Sequence, residues 1–193
     1  MGKTRLEAFS DGVLAIILTI MVLEMKVPHG NDLPALKPLI PVFLSYVLSF
    51  VYVGIYWNNH HHLLQASKHV NGAVLWANLH LLFWLSLLPL VTGWFGEHHN
   101  AVPPTAAYGF ILLMCGLAYT ILVRALIKLH GEGSHLHRAI GKDTKGIISL
   151  VGYISGIGLS FVWTWAAVAI YVAVAGLWLI PDQRIERTAP NPE

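Results

Sequence analysis

Charged residues are scarce in this sequence. Lys, Arg, Asp and Glu make up 11% of the 193 residues, whereas apolar residues make up 55%. A soluble domain carries roughly a quarter charged residues, so this chain would not stay soluble in water. Its uncharged stretches are each close to the ~20 residues with which a helix crosses a hydrocarbon core of ~30 Å. The composition therefore predicts an all-α integral membrane protein.

Cysteine is almost absent as well. The single cysteine, Cys115, lies in an apolar segment, which excludes an internal disulfide and a zinc site built on paired thiolates. The formal net charge of +2 is small, so we expect no nucleic-acid partner. The first apolar run has no small-residue cleavage site and is bracketed by Asp11 and Glu24, so it is expected to be retained and not removed as a signal peptide.

Six transmembrane spans are predicted within a single domain, residues 1–193. Proline, glycine and polar residues interrupt the apolar runs. Residues 147–180 would extend about 51 Å as one helix, which is too long for a single crossing, so they are divided by a turn expected at Phe161–Trp165. The expected spans are 9–25, 38–66, 73–95, 106–129, 146–162 and 165–180, followed by a short polar tail at 182–193.

Lys and Arg are unevenly distributed between the loops. With both termini in the cytoplasm, only Lys26 and Lys37 of the twelve Lys and Arg lie outside, and the reverse orientation inverts this ratio. Because cytoplasmic loops carry an excess of Lys and Arg, both termini are predicted to be cytoplasmic. A five-span alternative would place the C-terminal tail outside and is less economical.

No pattern typical of an enzyme is present in the sequence. It lacks a phosphate-cradling glycine loop, a nucleophile elbow and a carboxylate pair suited to acid–base catalysis. The eleven His include one consecutive run, His60 to His62, which is not the set of repeated boxes that a membrane di-iron site needs. Haem bound by His80 is an alternative, but a hydrogen-bonded intramembrane His80 is the simpler interpretation. We therefore expect no enzyme activity, metal or cofactor.

A polar triplet, Phe9-Ser10-Asp11, stands at the cytoplasmic end of span one. Ser10 or Asp11 could simply cap the start of a helix. The topology also places a second polar cluster, Trp57 to His62, at the same depth at the end of span two. Hydrogen bonds between the two clusters would satisfy their polar groups and define how the helices pack.

One face of span one is apolar except for a single hydroxyl. At 100° per residue the following residues lie within about 100° of one another, with Asp11 pointing away: Gly12, Ile16, Thr19, Ile20 and Leu23. Lipid contact or ordinary helix packing explains this stripe in an isolated helix, with Thr19 bonded to a carbonyl one turn earlier. The same stripe from several subunits would instead surround an ion path. The residues alone leave both interpretations open.

The two polar clusters resemble those of a known family. The pattern Arg5-x-x-x-Phe9-Ser10-Asp11, followed by Tyr56-Trp57-Asn58-x-x-His61, is similar to the lysosomal potassium channel family called transmembrane protein 175. The resemblance extends over nearly the whole chain, with weaker motifs at Asn78-Leu79, at Leu87-x-Pro89 and at Trp178-x-Ile180-Pro181-Asp182. It corresponds to the single-repeat prokaryotic form, which implies a homotetramer in a prokaryotic cell membrane.

The resemblance also implies roles for individual residues. The family lines its pore with span one and lacks the Thr-Val-Gly-Tyr-Gly filter, which this sequence lacks too. Ile16 would then form the hydrophobic constriction, Thr19 a hydroxyl layer and Leu23 a further apolar ring. His62 and His80 receive no role. A packing network at the cytoplasmic mouth would contain Arg5, Phe9, Ser10, Asp11, Trp57, Asn58 and His61.

We therefore predict a potassium-preferring cation channel that conducts passively, with potassium as the permeant ion and no cofactor. The main alternative is a proton-coupled secondary transporter that uses Asp11 and His61 as a relay. A haem-binding membrane protein is the less favoured one.

Overall fold

A computed structural model describes residues 2–28, 30–131 and 143–179. All regular secondary structure in these ranges is helical. A 3₁₀ helix, Leu33–Leu39, leads into the second α-helix. The α-helices are α1 (Lys3–Leu23), α2 (Ile40–Gln65), α3 (Gly72–Ser86), α4 (Leu88–Glu97), α5 (Val102–His130), α6 (Thr144–Ser160) and α7 (Thr164–Leu179).

Several of these helices are membrane-span candidates. Four segments within the described ranges are long and apolar enough to cross a membrane, namely Lys3–Leu23, Leu33–Gln65, Gly72–Glu97 and Val102–His130. The α6 and α7 helices are shorter, at 17 and 16 residues. The predicted all-α class with several apolar membrane helices is thus confirmed.

The helix boundaries differ most from the expected spans in two places. Helix α1 begins at Lys3, six residues before the expected span. Lys3 forms an ion pair with Glu7, one turn later in the same helix. The continuous span expected at 73–95 is interrupted, because α3 ends at Ser86 and α4 begins at Leu88. Pro89 explains the break, since proline has no N–H to donate and its ring would clash with the carbonyl four residues earlier.

The C-terminal part of the described chain is a helical hairpin. Helix α6 is capped by Asp143, whose carboxylate accepts a hydrogen bond from the N–H of Gly146 at 2.9 Å. A turn at Phe161 and Val162 separates α6 from α7. The expected helix end at Pro181-Asp182, the tail at 182–193 and the loop residues 132–142 lie outside the described residues.

The packing of the helices divides the molecule into two sides. Helix α1 packs against α2, α3 and α4, whereas α5 packs against α3, α4, α6 and α7. Three fully buried tyrosines, Tyr52, Tyr108 and Tyr171, lie in the core between them, and the hydroxyl of Tyr52 donates to the carbonyl oxygen of Tyr171 at 2.6 Å. A Cβ atom at Gly109 would collide with the Tyr171 ring, so this close approach of α5 and α7 requires glycine.

Candidate functional site

Helix α1 has two distinct faces. Its buried face consists of five residues spaced three or four apart, which pack on the neighbouring helices: Leu6, Ser10, Leu14, Ile17 and Met21. On the wheel the apolar stripe lies about 130° away from this face. In the isolated chain Ile16 is 57% exposed and Leu23 is 79% exposed. Packing within the chain therefore sets the rotation of α1 and leaves the stripe uncovered.

Thr19 is the polar residue of this stripe. Its hydroxyl donates a hydrogen bond to the carbonyl oxygen of Ile16 at 2.8 Å, as expected for a threonine within a helix. Because the hydroxyl proton is used inside the helix, the oxygen presents its acceptor lone pairs outward. An exposed oxygen without a competing proton is suited to contact a cation.

A buried hydrogen-bonded chain holds the first three helices together. The amide Nδ2 of Asn78 in α3 donates to the Ser10 hydroxyl of α1 at 2.9 Å. The other end of that amide, Oδ1, lies 2.7 Å from His60 Nε2 of α2, so this ring nitrogen carries the proton. All three side chains are buried. We call this the Ser10–Asn78–His60 chain.

Two of these residues are not among the predicted network residues. Ser10 was named in that network, whereas His60 was named only as part of the second polar cluster and Asn78 only as part of a weaker motif. The signal that could have assigned Asn78 to the network is its position, since a side-chain amide inside an apolar helix needs partners on neighbouring helices. His60 was hidden within the run of three histidines.

Asp11 takes part in a second, more exposed contact. Its carboxylate accepts a hydrogen bond from the indole Nε1 of Trp57 at 3.1 Å. The Trp57 ring in turn stacks on His61, with centroids 6.2 Å apart. Asp11 is thus bonded to the indole nitrogen, whereas His61 stacks on the ring. This arrangement gives no direct hydrogen bond for a relay between Asp11 and His61.

The remaining predicted network residues lie at the surface of the isolated chain. Arg5, Phe9 and Asn58 are exposed, and their side chains make no hydrogen bond or ion pair with the residues that the structure describes. Arg5 and Phe9 precede Ile16 by about three and two helical turns, so they lie on the same face as the stripe.

His80, considered above as a haem ligand, has a local partner. Its Nε2 accepts a hydrogen bond from the indole of Trp84 at 2.9 Å, one turn later in α3. No group of three or more His, Cys, Asp or Glu suited to a metal ion occurs in the described part of the chain.

The other end of α1 is joined to α4. Lys26, just beyond the helix, pairs with Glu97 at the end of α4, with Nζ and Oε1 2.6 Å apart. The hydrogen bond and negative charge of Glu97 raise the pKa of Lys26 above its ordinary value. Separate contacts thus link the two ends of α1 to α3 and to α4.

An open groove runs beside the stripe. It has a volume of about 360 Å³ and lies between α1 and the break that separates α3 from α4. Ile16 and Ile20 border it on one side, and Pro89 and Leu90 border it on the other. The flank of α1 is therefore incompletely covered in a single chain.

The sequence of this chain is similar to those of proteins named as potassium channels. The family description "Endosomal/lysosomal potassium channel TMEM175" matches residues 5–89. A potassium channel of Chryseobacterium sp. is 57% identical over 188 residues, which cover 97% of this chain and 98% of that protein. A potassium channel of Streptomyces collinus is 30% identical, again over 97% and 98% of the two chains.

A solved structure has a similar fold. It is the crystal structure of a lysosomal potassium-selective channel TMEM175 homolog from Chamaesiphon minutus, with a TM-score of 0.81 and 27% identity. The match covers 93% of this chain and 97% of the other. The likeness therefore extends well beyond the helices that carry the two polar clusters.

Proposed function

Because this chain belongs to the TMEM175 family, we propose that it is a passive potassium channel whose pore is lined by α1. The observation that carries this conclusion is its similarity, over nearly the full length of both chains, to proteins named as potassium channels. Those relatives are named as channels and not as enzymes, which agrees with the sequence pattern.

The stripe of α1 provides the chemistry of the pore. Ile16 forms the narrow apolar constriction, Thr19 a ring of hydroxyl oxygens and Leu23 a second apolar ring. Apolar constrictions control conduction by drying and wetting. One ring of hydroxyls offers fewer oxygens than the stacked carbonyl rings of ordinary potassium filters, so preference for potassium over sodium is modest. The exposure of Ile16 and Leu23 and the outward oxygen of Thr19 support this assignment.

A single copy of α1 cannot enclose an ion path, so the channel is a homo-oligomer, which we propose to be a tetramer. The uncovered stripe and the groove beside it are where neighbouring copies pack. In lipid, such packing depends on close van der Waals contact and interhelical hydrogen bonds, because the lipid is itself apolar.

The proposed topology has six spans with both termini in the cytoplasm, in a prokaryotic cell membrane. Helices α3 and α4 together form the third span. Helices α6 and α7, at 17 and 16 residues, extend about 25 Å each and cover most of a ~30 Å core. Lys26 and Lys37 then face outward, in keeping with the excess of Lys and Arg in cytoplasmic loops.

The polar clusters support α1 and do not carry the ion. The Ser10–Asn78–His60 chain and the Asp11–Trp57 bond hold its cytoplasmic end against α2 and α3. Arg5, Phe9, Asn58 and His61 complete this network where the copies of α1 converge at the cytoplasmic mouth.

Reconstitution tests the proposed function directly. The purified protein is placed in a planar bilayer with a potassium gradient. A channel gives unitary currents that rise linearly with voltage and reverse near the potassium equilibrium potential. A proton-coupled transporter would instead give saturable flux that depends on the proton gradient, and that result would contradict the proposal.

A further inference from the structure

A second stripe runs along the outer face of α5. Its members follow one another at intervals of seven, four, three and four residues, which places them within about 60° of one another on the helix. They are Phe110, Leu117, Ile121, Arg124 and Lys128. The three apolar members are between 36% and 47% exposed, and both basic residues are exposed. An apolar track thus ends in two cations on the same face.

The depth of this track in the membrane follows from the length of α5. The helix has 29 residues and extends about 43 Å, whereas the hydrocarbon core is ~30 Å thick. Both ends therefore project into the headgroup layers. Arg124 and Lys128 lie within the last two turns, so they lie at headgroup depth while Ile121 and Leu117 lie beside the acyl chains.

The two cations border an open groove. Arg124, Ile127, Lys128 and Gly131 line a space of about 360 Å³ at the end of α5. Gly131 has a φ of 87°, and a Cβ atom there would have no neighbour within 4 Å. None of the described residues therefore covers the backbone at the end of the groove.

Neither cation is neutralised by the protein among the described residues. The ion pairs found there join Lys3 to Glu7 and Lys26 to Glu97, and both lie away from α5. Arg124 and Lys128 are four residues apart, so both can reach one anionic group.

This face of α5 also lies away from the proposed pore. Helix α3 packs against both α1 and α5 and stands between them. In an assembly with α1 at its axis, the outer stripe of α5 faces the surrounding lipid.

From these observations we infer that the cytoplasmic end of α5 binds an anionic phospholipid. The phosphate group lies between Arg124 and Lys128, and one acyl chain follows Ile121, Leu117 and Phe110. The inference rests on the membrane orientation proposed above and not on ion conduction. A juxtamembrane Lys or Arg near an anionic leaflet contributes roughly a fivefold gain in lipid affinity.

Lipid titration of the purified chain in detergent tests the site. Bound phosphatidylglycerol and phosphatidylcholine are counted by native mass spectrometry, and dissociation constants are obtained for each. We expect tighter binding of phosphatidylglycerol to the native chain, about fivefold weaker binding in Lys128→Gln and about 25-fold weaker binding in Arg124→Gln/Lys128→Gln. Lys37→Gln, an exposed lysine at the opposite end of the molecule, is the matched control and leaves binding unchanged.

Three results would overturn the site. The first is a double variant that binds phosphatidylglycerol with native affinity and has an unchanged size-exclusion profile. The second is a loss of phosphatidylglycerol affinity in Lys37→Gln equal to that in Lys128→Gln. The third is competition by deacylated glycerophosphoglycerol as effective as that of the lipid, which would show binding of a soluble anion without the acyl track. Potassium flux is measured separately in liposomes, so absence of flux counts against the channel and leaves the lipid result to decide this site.

Discussion

Asn78 and Ser10 are joined by a hydrogen bond of 2.9 Å, although the two side chains are 68 positions apart in the chain and completely buried. The Asn78 amide uses both of its ends, since its oxygen is bonded to His60. A buried amide with two partners on two different helices permits one rotation of α1 relative to α2 and α3. The orientation of the apolar stripe depends on this contact.

Asn78→Leu should destabilise the protein markedly. The substitution leaves His60 and Ser10 without their partner, and each unsatisfied buried group costs about 1–3 kcal/mol. We expect a clear fall in the thermal unfolding midpoint in detergent. Asn100→Leu is the matched control, because its side chain is exposed and its amide has no partner in the described chain. An equal fall in both variants would contradict the role of the buried chain.

Ile16→Asn should increase the single-channel conductance several-fold. A polar side chain at the constriction keeps the pore wet and removes the apolar barrier. Ile147→Asn makes the same change at an exposed position of α6 and should leave conductance at the native value. Equal currents in native channel and Ile16→Asn would show that this residue is not at the constriction.

Thr19→Ala should lower the permeability ratio of potassium to sodium towards unity. The change removes the hydroxyl oxygen from the stripe and keeps the helix, since alanine is the best helix former. Thr19→Ser retains the oxygen and should keep the native ratio. The ratio is obtained from reversal potentials under bi-ionic conditions, and the assignment fails if alanine and serine variants behave alike.

Lys26 should react more slowly with amine-acylating reagents than an ordinary lysine. Its pKa is raised from 10.5 by Glu97, so at pH 9 to 10 a smaller fraction is the neutral, nucleophilic amine. The contribution of the pair to stability is complete below the pKa of the unfolded lysine and is lost as the pH rises through the higher folded value.

Glu97→Gln removes this effect and should accelerate the acylation of Lys26. Peptide mass spectrometry gives the rate, and Lys37 serves as the internal reference because it has no pairing with Glu97. An unchanged rate at Lys26 would mean that the ion pair is absent in solution.

The hydrophobic periodicity and the composition of the sequence were sufficient to predict part of the fold. The apolar runs identify the membrane helices, and the 3.6-residue period of α1 separates Ile16 and Leu23 from Ile17 and Met21. The break at Leu87 was not predicted, although its local signal is Pro89, which cannot continue a helix. These features depend on residues close together in the sequence.

Other features depend on contacts between distant helices. Asp11 is bonded to Trp57 and Ser10 to Asn78, although Ser10 and Asp11 are adjacent in sequence. Neighbouring residues of a helix point about 100° apart, so the triplet divides between two networks. The pattern around Ser10 therefore indicates a region of contacts between helices but could not assign each residue its partner.

The interruption at Leu87 has a mechanical consequence. Helix α1 is held near its N-terminal end by α3, through Asn78, and just beyond its C-terminal end by α4, through Glu97 and Lys26. Helices α3 and α4 are joined at this break, and each of them contacts one end of α1. The angle at Leu87 sets the distance between the anchor points. A change in that angle must therefore be accompanied by a tilt of α1 or by the loss of one of the two contacts.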